Sequence, residues 1–366
     1  MTTVELDEHP VAVPPAHPGH WHVTWHGVRT VAALELRQRV RSTRWVVALV
    51  AWFVVVGGLT LLISGALSAV DDGADRQRGA LLFAAVTFLV LGLGLLVTPT
   101  LASTSINGDR AAGTLATLQV TLLTPAEIAL GKVLAAWTAS CAFLLASVPF
   151  LGFAAAVGPT PWWSVLRVVV LVAVLLAAVC GMGLGFSALV ARPAGSTVLT
   201  FVTVAALVLG TPLLFGVTYP SVEQTESVQV RVQRTDDVTG NPTTCELTTQ
   251  QRSVAHTERT WWLLALNPFV VMADGAGTSS SLDQAEARND PLGVLREGVR
   301  LARTGASATI DECWGVDGGR VEPTADAPIW PWGLGVNLLL GAAGFVVAVR
   351  RLSLPQGKLA RGTRVA

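Results

Sequence analysis

Charge is scarce in this chain. Asp, Glu, Lys and Arg make up 14% of its 366 residues, against about 25% in a soluble domain. The deficit is uneven. Several runs of about 20 or more residues carry almost no charge, the length needed to cross a ~30 Å hydrocarbon core. A soluble globular protein is thereby excluded, and six spans are predicted, at residues 45–67, 80–102, 128–157, 165–190, 197–217 and 329–349. The third is long enough to begin as a helix outside the lipid. Lysine is rarer still: Lys132 and Lys358 are two of 25 basic residues. With abundant Ala, Gly, Val and Leu, that fits a GC-rich bacterial genome. Apart from Lys132 in the foot of the third span, no span holds His, Asp, Glu or Lys. Proton relays, ion-coupled carriers and intramembrane proteases normally need such groups at depth. The phosphate-cradling GxxxxGK[ST] pattern is also missing, since Gly131-Lys132 is followed by Val133 and Gly357-Lys358 by Leu359. The chain is therefore expected to hydrolyse no ATP by a P-loop of its own and to catalyse nothing covalent. No metal or cofactor is expected on it. No short apolar core precedes the first span, so no cleavable signal peptide is expected.

The charges that are present sort by loop. Arg29, Arg37, Arg39, Arg41 and Arg44 precede the first span. Arg110 and Lys132 follow the second, Arg192 the fourth, and Arg350, Arg351, Lys358, Arg361 and Arg364 the sixth. The opposite short loops hold Arg76, Arg78 and Arg167 beside Asp71, Asp72 and Asp75. By the positive-inside rule both termini are cytoplasmic, in a plasma membrane. The long segment between the fifth and sixth spans then lies outside, with nine Arg against sixteen Asp and Glu, a net charge of −7. Four cysteines divide evenly. Cys141 and Cys180 fall in spans, while Cys245 and Cys313 fall in the outer segment. Disulfides persist outside the cytoplasm, so a Cys245–Cys313 bridge is expected, with two unpaired thiols as the alternative.

Residues 1–24 are read as a polar tail, Pro-rich and without periodicity over its first twenty residues. His17, His20, His22 and His26 cluster there, but without fixed geometry they fit solvated histidines better than a metal site. Residues 25–44 are read as an interfacial elbow helix, with Trp25, Val28, Ala32, Leu36 and Val40 at three- and four-residue spacing. A plain extension of the first span is the alternative. Residues 45–217 hold spans one to five, with a loop at 103–127. Residues 218–328 form a small α+β insert. There, 227–234 and 243–250 alternate as strands around the turn chemistry of DDVTGNP. Residues 261–274, WWLLALNPFVVMAD, are apolar but too short to cross, and read as a re-entrant helical element with Trp261 and Trp262 at the interface. Asp290-Pro291 opens a helix that ends near Thr304, before Gly305. Residues 329–350 are the last span and 351–366 a cytoplasmic tail.

The 103–132 stretch, STSINGDRAAGTLATLQVTLLTPAEIALGK, is too polar to cross and longer than a turn requires. Gly113 permits a tight entry, Thr114 can cap a short helix, and Leu115, Leu118 and Leu122 share one face. Thr124-Pro125 ends that helix and starts the next, with Glu127 near its positive end. The apolar face suits either a partner's groove or the lipid surface.

This stretch resembles the loop after the second span in ATP-binding-cassette permeases of the type-two, exporter-like family. The matching residues are Asp109-Arg110, Gly113-Thr114-Leu115, Leu118, Leu122-Leu123, Thr124-Pro125, Glu127-Ile128 and Gly131-Lys132. Ala116 stands where that family has a second acid, and Gln119 where it has leucine. The likeness extends to the Arg-rich entry helix, the SALVARPAGST turn at 187–197 and Leu266-Asn267-Pro268. It implies an all-α polytopic membrane protein whose loop docks a separate ATPase subunit, with ATP and Mg on that partner. It also implies a second permease copy, identical or paralogous, and no nucleic acid. By the same likeness Thr197, Thr200, Phe201 and Thr211 of the fifth span, with Phe83 and Phe88 of the second, are nominated for the translocation path. The competing reading has those threonine hydroxyls bonded to their own helix. A membrane-anchored sensor or scaffold with an outer ligand-binding domain is the alternative function.

Overall fold

The computed structural model of the chain describes residues 19–70, 75–115, 121, 123–158, 160–235, 242–277, 290–305, 309–311 and 327–353. Among the described residues six helices are long and apolar enough to cross a membrane, and the fold is the all-α polytopic one expected. Helix α1 (Trp25–Val40) starts at Thr24, whose hydroxyl accepts from the Gly27 amide at 3.2 Å. A short break at Arg41-Ser42 separates it from α2 (Thr43–Val70), so the elbow is its own element. Next come α3 (Asp75–Ala102) and the five-residue α4 (Asn107–Ala111). Helix α5 (Pro125–Val157) opens with a reciprocal cap. The Thr124 hydroxyl takes the Glu127 amide, the Glu127 carboxylate takes the Thr124 amide, and Pro125 fills the first turn. Helix α6 (Trp162–Leu189) turns through residues 190–192 into the fifth span. That span is jointed: α7 (Pro193–Ala205), a π-helical segment (Ala206–Gly210), then α8 (Thr211–Thr218).

The insert follows. Strands β1 (Glu223–Thr235) and β2 (Pro242–Ala255) pair antiparallel. Both are longer than the alternating stretches. The valine pattern marks only where one face is covered, as at the fully buried Val230, while backbone pairing carries the ladder on to Glu223 and Ala255. Helices α9 (Trp261–Ala265) and α10 (Pro268–Gly275) are two short pieces broken at Leu266-Asn267. Helix α11 (Pro291–Thr304) is capped by Asp290 and ends at Gly305, whose φ of 75° favours glycine. Strand β3 (Thr309–Asp311) joins β1 in parallel, giving the order β2-β1-β3. Helix α12 (Trp330–Leu352) is the sixth span.

Helix α6 is the axis of the bundle and the most buried span. Lipid offers no hydrophobic drive between helices, so close backbone approach through small residues substitutes for it. A Cβ on Gly181 would lie 2.4 Å from the Gly341 carbonyl oxygen, and one on Gly185 would lie 2.5 Å from the Gly344 Cα. These contacts weld α6 to α12. The fifth span and α2 are peripheral, each about one-fifth buried, and present Val46, Val50, Val54, Val198, Val202 and Leu213 outward. One end of the bundle carries α1, α4 and the 190–192 turn (the loop end). The other carries the sheet and α9–α11 (the insert end).

Candidate coupling site

At the loop end α4 turns back beside the foot of α5. Its first residue, Asn107, is fully buried and donates to the Ser196 hydroxyl at 2.7 Å and the Val190 carbonyl at 3.3 Å. The Ser187 hydroxyl accepts from the Ile106 and Asn107 amides at 2.9 and 3.1 Å. The small polar residues of the 187–197 turn thus satisfy a buried chain reversal that would otherwise leave orphan amides. Ser103 adds a contact between its hydroxyl and that of Thr197 at 2.8 Å.

Lys132, one turn further into α5, has no exposed side-chain surface. Its ammonium donates to Asp109 of α4 at 2.5 Å and to Glu35 of α1. A buried lysine is costly unless paired, and this pairing ties three elements together. Glu127 makes a second knot. One of its oxygens accepts from the Thr24 amide at 2.8 Å and from the Thr24 hydroxyl. The other accepts from the Thr124 amide at 2.8 Å. The Thr124 hydroxyl in turn donates to the His22 carbonyl at 2.5 Å. Space is tight here: a Cβ on Gly27 would meet the Glu127 carboxylate at 2.7 Å, and one on Gly131 would meet Val31 at 2.6 Å. Helix α1 is thereby seated on the α5 foot through Gly27, Val28 and Val31.

The loop residues nominated from sequence separate into two groups. Asp109, Thr124, Pro125 and Glu127 hold the foot together, and Leu115 is buried against Ile106, Ile128, Leu184 and Val349. Arg110, Gly113 and Thr114 are exposed, on a turn made possible by the Gly113 φ of 72°. Leu118 and Leu122 lie outside the described residues. Sequence reasoning missed Glu35, Thr24 and Asn107 as members of this foot. The one available signal was Lys132 itself, since a lysine at a span's foot calls for an acid from elsewhere. Along the outward side of α1 runs an open groove of about 520 Å³ lined in part by His26, Arg29, Arg37 and Arg41.

The path nominees lie inside the chain. Phe83, Thr200 and Thr211 are buried. Phe201 is half-buried, as is Phe88, whose ring packs 5.5 Å from that of Phe269. The Thr197, Thr200 and Thr211 hydroxyls donate to the carbonyls of Pro193, Ser196 and Leu207 at 3.0, 2.8 and 2.7 Å, one turn back on their own span. At the insert end Cys245 is disulfide-bonded, while Cys141 and Cys180 are free thiols. Cys313 lies outside the described residues.

The family model described as ABC-2 family transporter protein matches residues 29–316. The chain belongs to that family. The matched stretch runs from within α1 through α4 and the foot of α5 and on into the insert. No curated protein matches the chain. As an ABC-2 permease it is a multi-pass membrane subunit of a transporter, of a kind that is generally not itself catalytic and that pairs with an ATP-binding subunit.

Proposed function

We propose that this ABC-2 permease is the membrane half of an ATP-driven exporter and that the ATPase docks on the exposed turn at Arg110–Thr114. The observation that carries the reading is the construction of the foot beneath that turn. Lys132 joins α4 to α1 and α5, and Asn107 joins it to the 187–197 turn. A push on the turn therefore displaces α1 and the ends of α3, α5 and α6 together. The Arg-rich loop end is cytoplasmic by the positive-inside rule, which places the turn on the side where ATP is available. Both termini are then cytoplasmic and the acidic insert is outside. ATP and Mg are bound by the partner, and a second permease copy completes the path. The spans offer Thr, Val and Phe rather than fixed charge, which suits amphipathic or apolar cargo.

The test is co-purification with its ATP-binding subunit, to be sought first in the neighbouring reading frames. Leu115→Asp discriminates poorly because Leu115 is buried in the foot. Arg110→Glu with Thr114→Asp changes only exposed positions. The pair should weaken ATPase binding at least about tenfold, the effect of about 1.4 kcal/mol, with the unfolding midpoint unchanged. Full retention of the ATPase would remove the docking assignment.

A further inference from the structure

The joint in the fifth span has a chemical cause. In an α-helix the Val208 carbonyl would accept from residue 212, but that residue is Pro212, which has no N–H and whose ring crowds that carbonyl. The chain responds by widening: residues 206–210 are π-helical, and the Thr211 amide bonds the Ala206 carbonyl five residues back. This leaves the Val208 carbonyl in need of a donor at a depth where water is scarce. Asn267 supplies it. Its side-chain amide donates to the Val208 carbonyl at 2.8 Å and reaches the Thr211 hydroxyl at 3.3 Å, while its side-chain oxygen caps α10 by accepting from the Phe269 amide at 2.8 Å. Asn267 is buried, and every polar atom of its side chain is engaged.

The other side of the same break is fastened to the last span. Asn337 is buried and donates to the Leu266 carbonyl at 3.1 Å and the Gly333 carbonyl at 2.8 Å. At the far end of α10 the Asp274 carboxylate accepts from Arg300 of α11 at 2.6 Å and from the Ile329 and Trp330 amides at 2.6 and 2.7 Å. The re-entrant element is thus fixed to α11 and α12; it packs along the fifth span, and Asn267 makes the side-chain hydrogen bonds between them where that helix is interrupted.

We propose that Asn267 is a positioning residue for substrate release, holding the joint of the fifth span in its present register. While the bond stands, the half of the span beyond Pro212 is locked to the re-entrant element. When it parts, that half moves relative to α7. The role in release rests on the export reading; the mechanics of the joint do not.

The experiment uses the full-length chain in lipid nanodiscs without any ATPase. Spin labels at Val198 and Val217, both exposed and on either side of the joint, report its geometry. Asn267→Ser keeps an oxygen able to cap α10 but is too short to reach Val208. It should broaden the distance distribution and shift its mean by at least about 3 Å, two residues of helical rise. Pro212→Ala restores an intrahelical donor to Val208, so the Asn267→Ser/Pro212→Ala double variant should return a single narrow distribution. A purely structural asparagine would show no such dependence on residue 212. A wild-type distribution in Asn267→Ser, or a double variant as broad as the single one, overturns the proposal. Should Asn267→Ser fail to fold, Asn267→Asp decides. It keeps an oxygen that caps α10 but has no donor for the Val208 carbonyl, so it should broaden and shift the distribution in the same way, and a wild-type distribution overturns the proposal. Loss of ATPase co-purification in the docking variants bears on the export reading and leaves these distances untouched.

Discussion

Lys132 shows how much one side chain can organise in a chain so poor in charge. It is fully buried and faces two carboxylates, Glu35 and Asp109, from two other elements. Replacing it with methionine keeps the volume but leaves both acids with a lost partner. Breaking a buried ion pair from one side costs about 3–5 kcal/mol, so Lys132→Met should lower the unfolding midpoint of the detergent-purified chain strongly. Adding Glu35→Gln to that variant should recover part of the loss, because one uncompensated charge then disappears. Equal stability in the single variant and the wild type would mean the pair contributes nothing. His256 is a different case, half-buried at the insert end. Its Nδ1 meets Glu258 at 2.8 Å and its Nε2 meets Glu226 at 3.2 Å. Hydrogen bonds to those two carboxylates push its pKa up from 6.5. A raised folded pKa means the charged imidazolium is favoured by folding. The stabilisation is full below the unfolded value near 6.5 and is lost as pH rises through the folded value. Amide exchange in β1 and β2, corrected for its intrinsic pH dependence, should therefore quicken across that window in the wild type. It should do so less in His256→Gln.

At the scale of elements, the α6–α12 contact makes the sharpest prediction. Gly341 lies against the Ala178 backbone, with a virtual Cβ 2.7 Å from its carbonyl oxygen. Backbone cannot move aside as a flexible side chain can, so Gly341→Leu should cost at least the roughly 1–3 kcal/mol of an overpacked core. Thermal unfolding checks this, with Gly335→Leu as the control because its Cβ would meet open space. This contact was legible in one direction only. The alternating Gly181, Gly183 and Gly185 announce that helices approach closely, yet nothing in the sequence says that Gly341 and Gly344 are the partners. The same limit runs through the rest of the chain. Span number, the Thr124-Pro125 start and the Asp290 cap are written in local residue order, and local order fixes them. The Asn267–Val208 bond and the Lys132–Glu35 pair join residues 59 and 97 apart, and only folding brings them together. The leucine face shows a further limit. Three- and four-residue spacing identifies an apolar side but not what covers it, and for Leu115 the cover is the chain's own foot.

At the scale of the whole molecule, the two ends are chemically opposed, and every functional assignment depends on which faces the cytoplasm. The loop end gathers Arg29, Arg37, Arg41 and Arg110, while the segment beyond the fifth span is net negative by seven. Charge bias sets orientation during insertion through short loops, and here most of the short-loop arginines sit at the loop end. Thr114 is exposed at that end, and Leu247 is exposed on β2 at the other. Cysteines introduced at these two positions read the orientation directly, with labelling of the unsubstituted chain as the background. Cys141 and Cys180 lie within spans, and Cys245 is already disulfide-bonded. A membrane-impermeant maleimide added to intact cells should label Leu247→Cys. Thr114→Cys should react only after the membrane is opened. Labelling of Thr114→Cys in intact cells would put the Arg110–Thr114 turn on the side without ATP. The docking assignment would then fall even though the foot that supports the turn would stand as described.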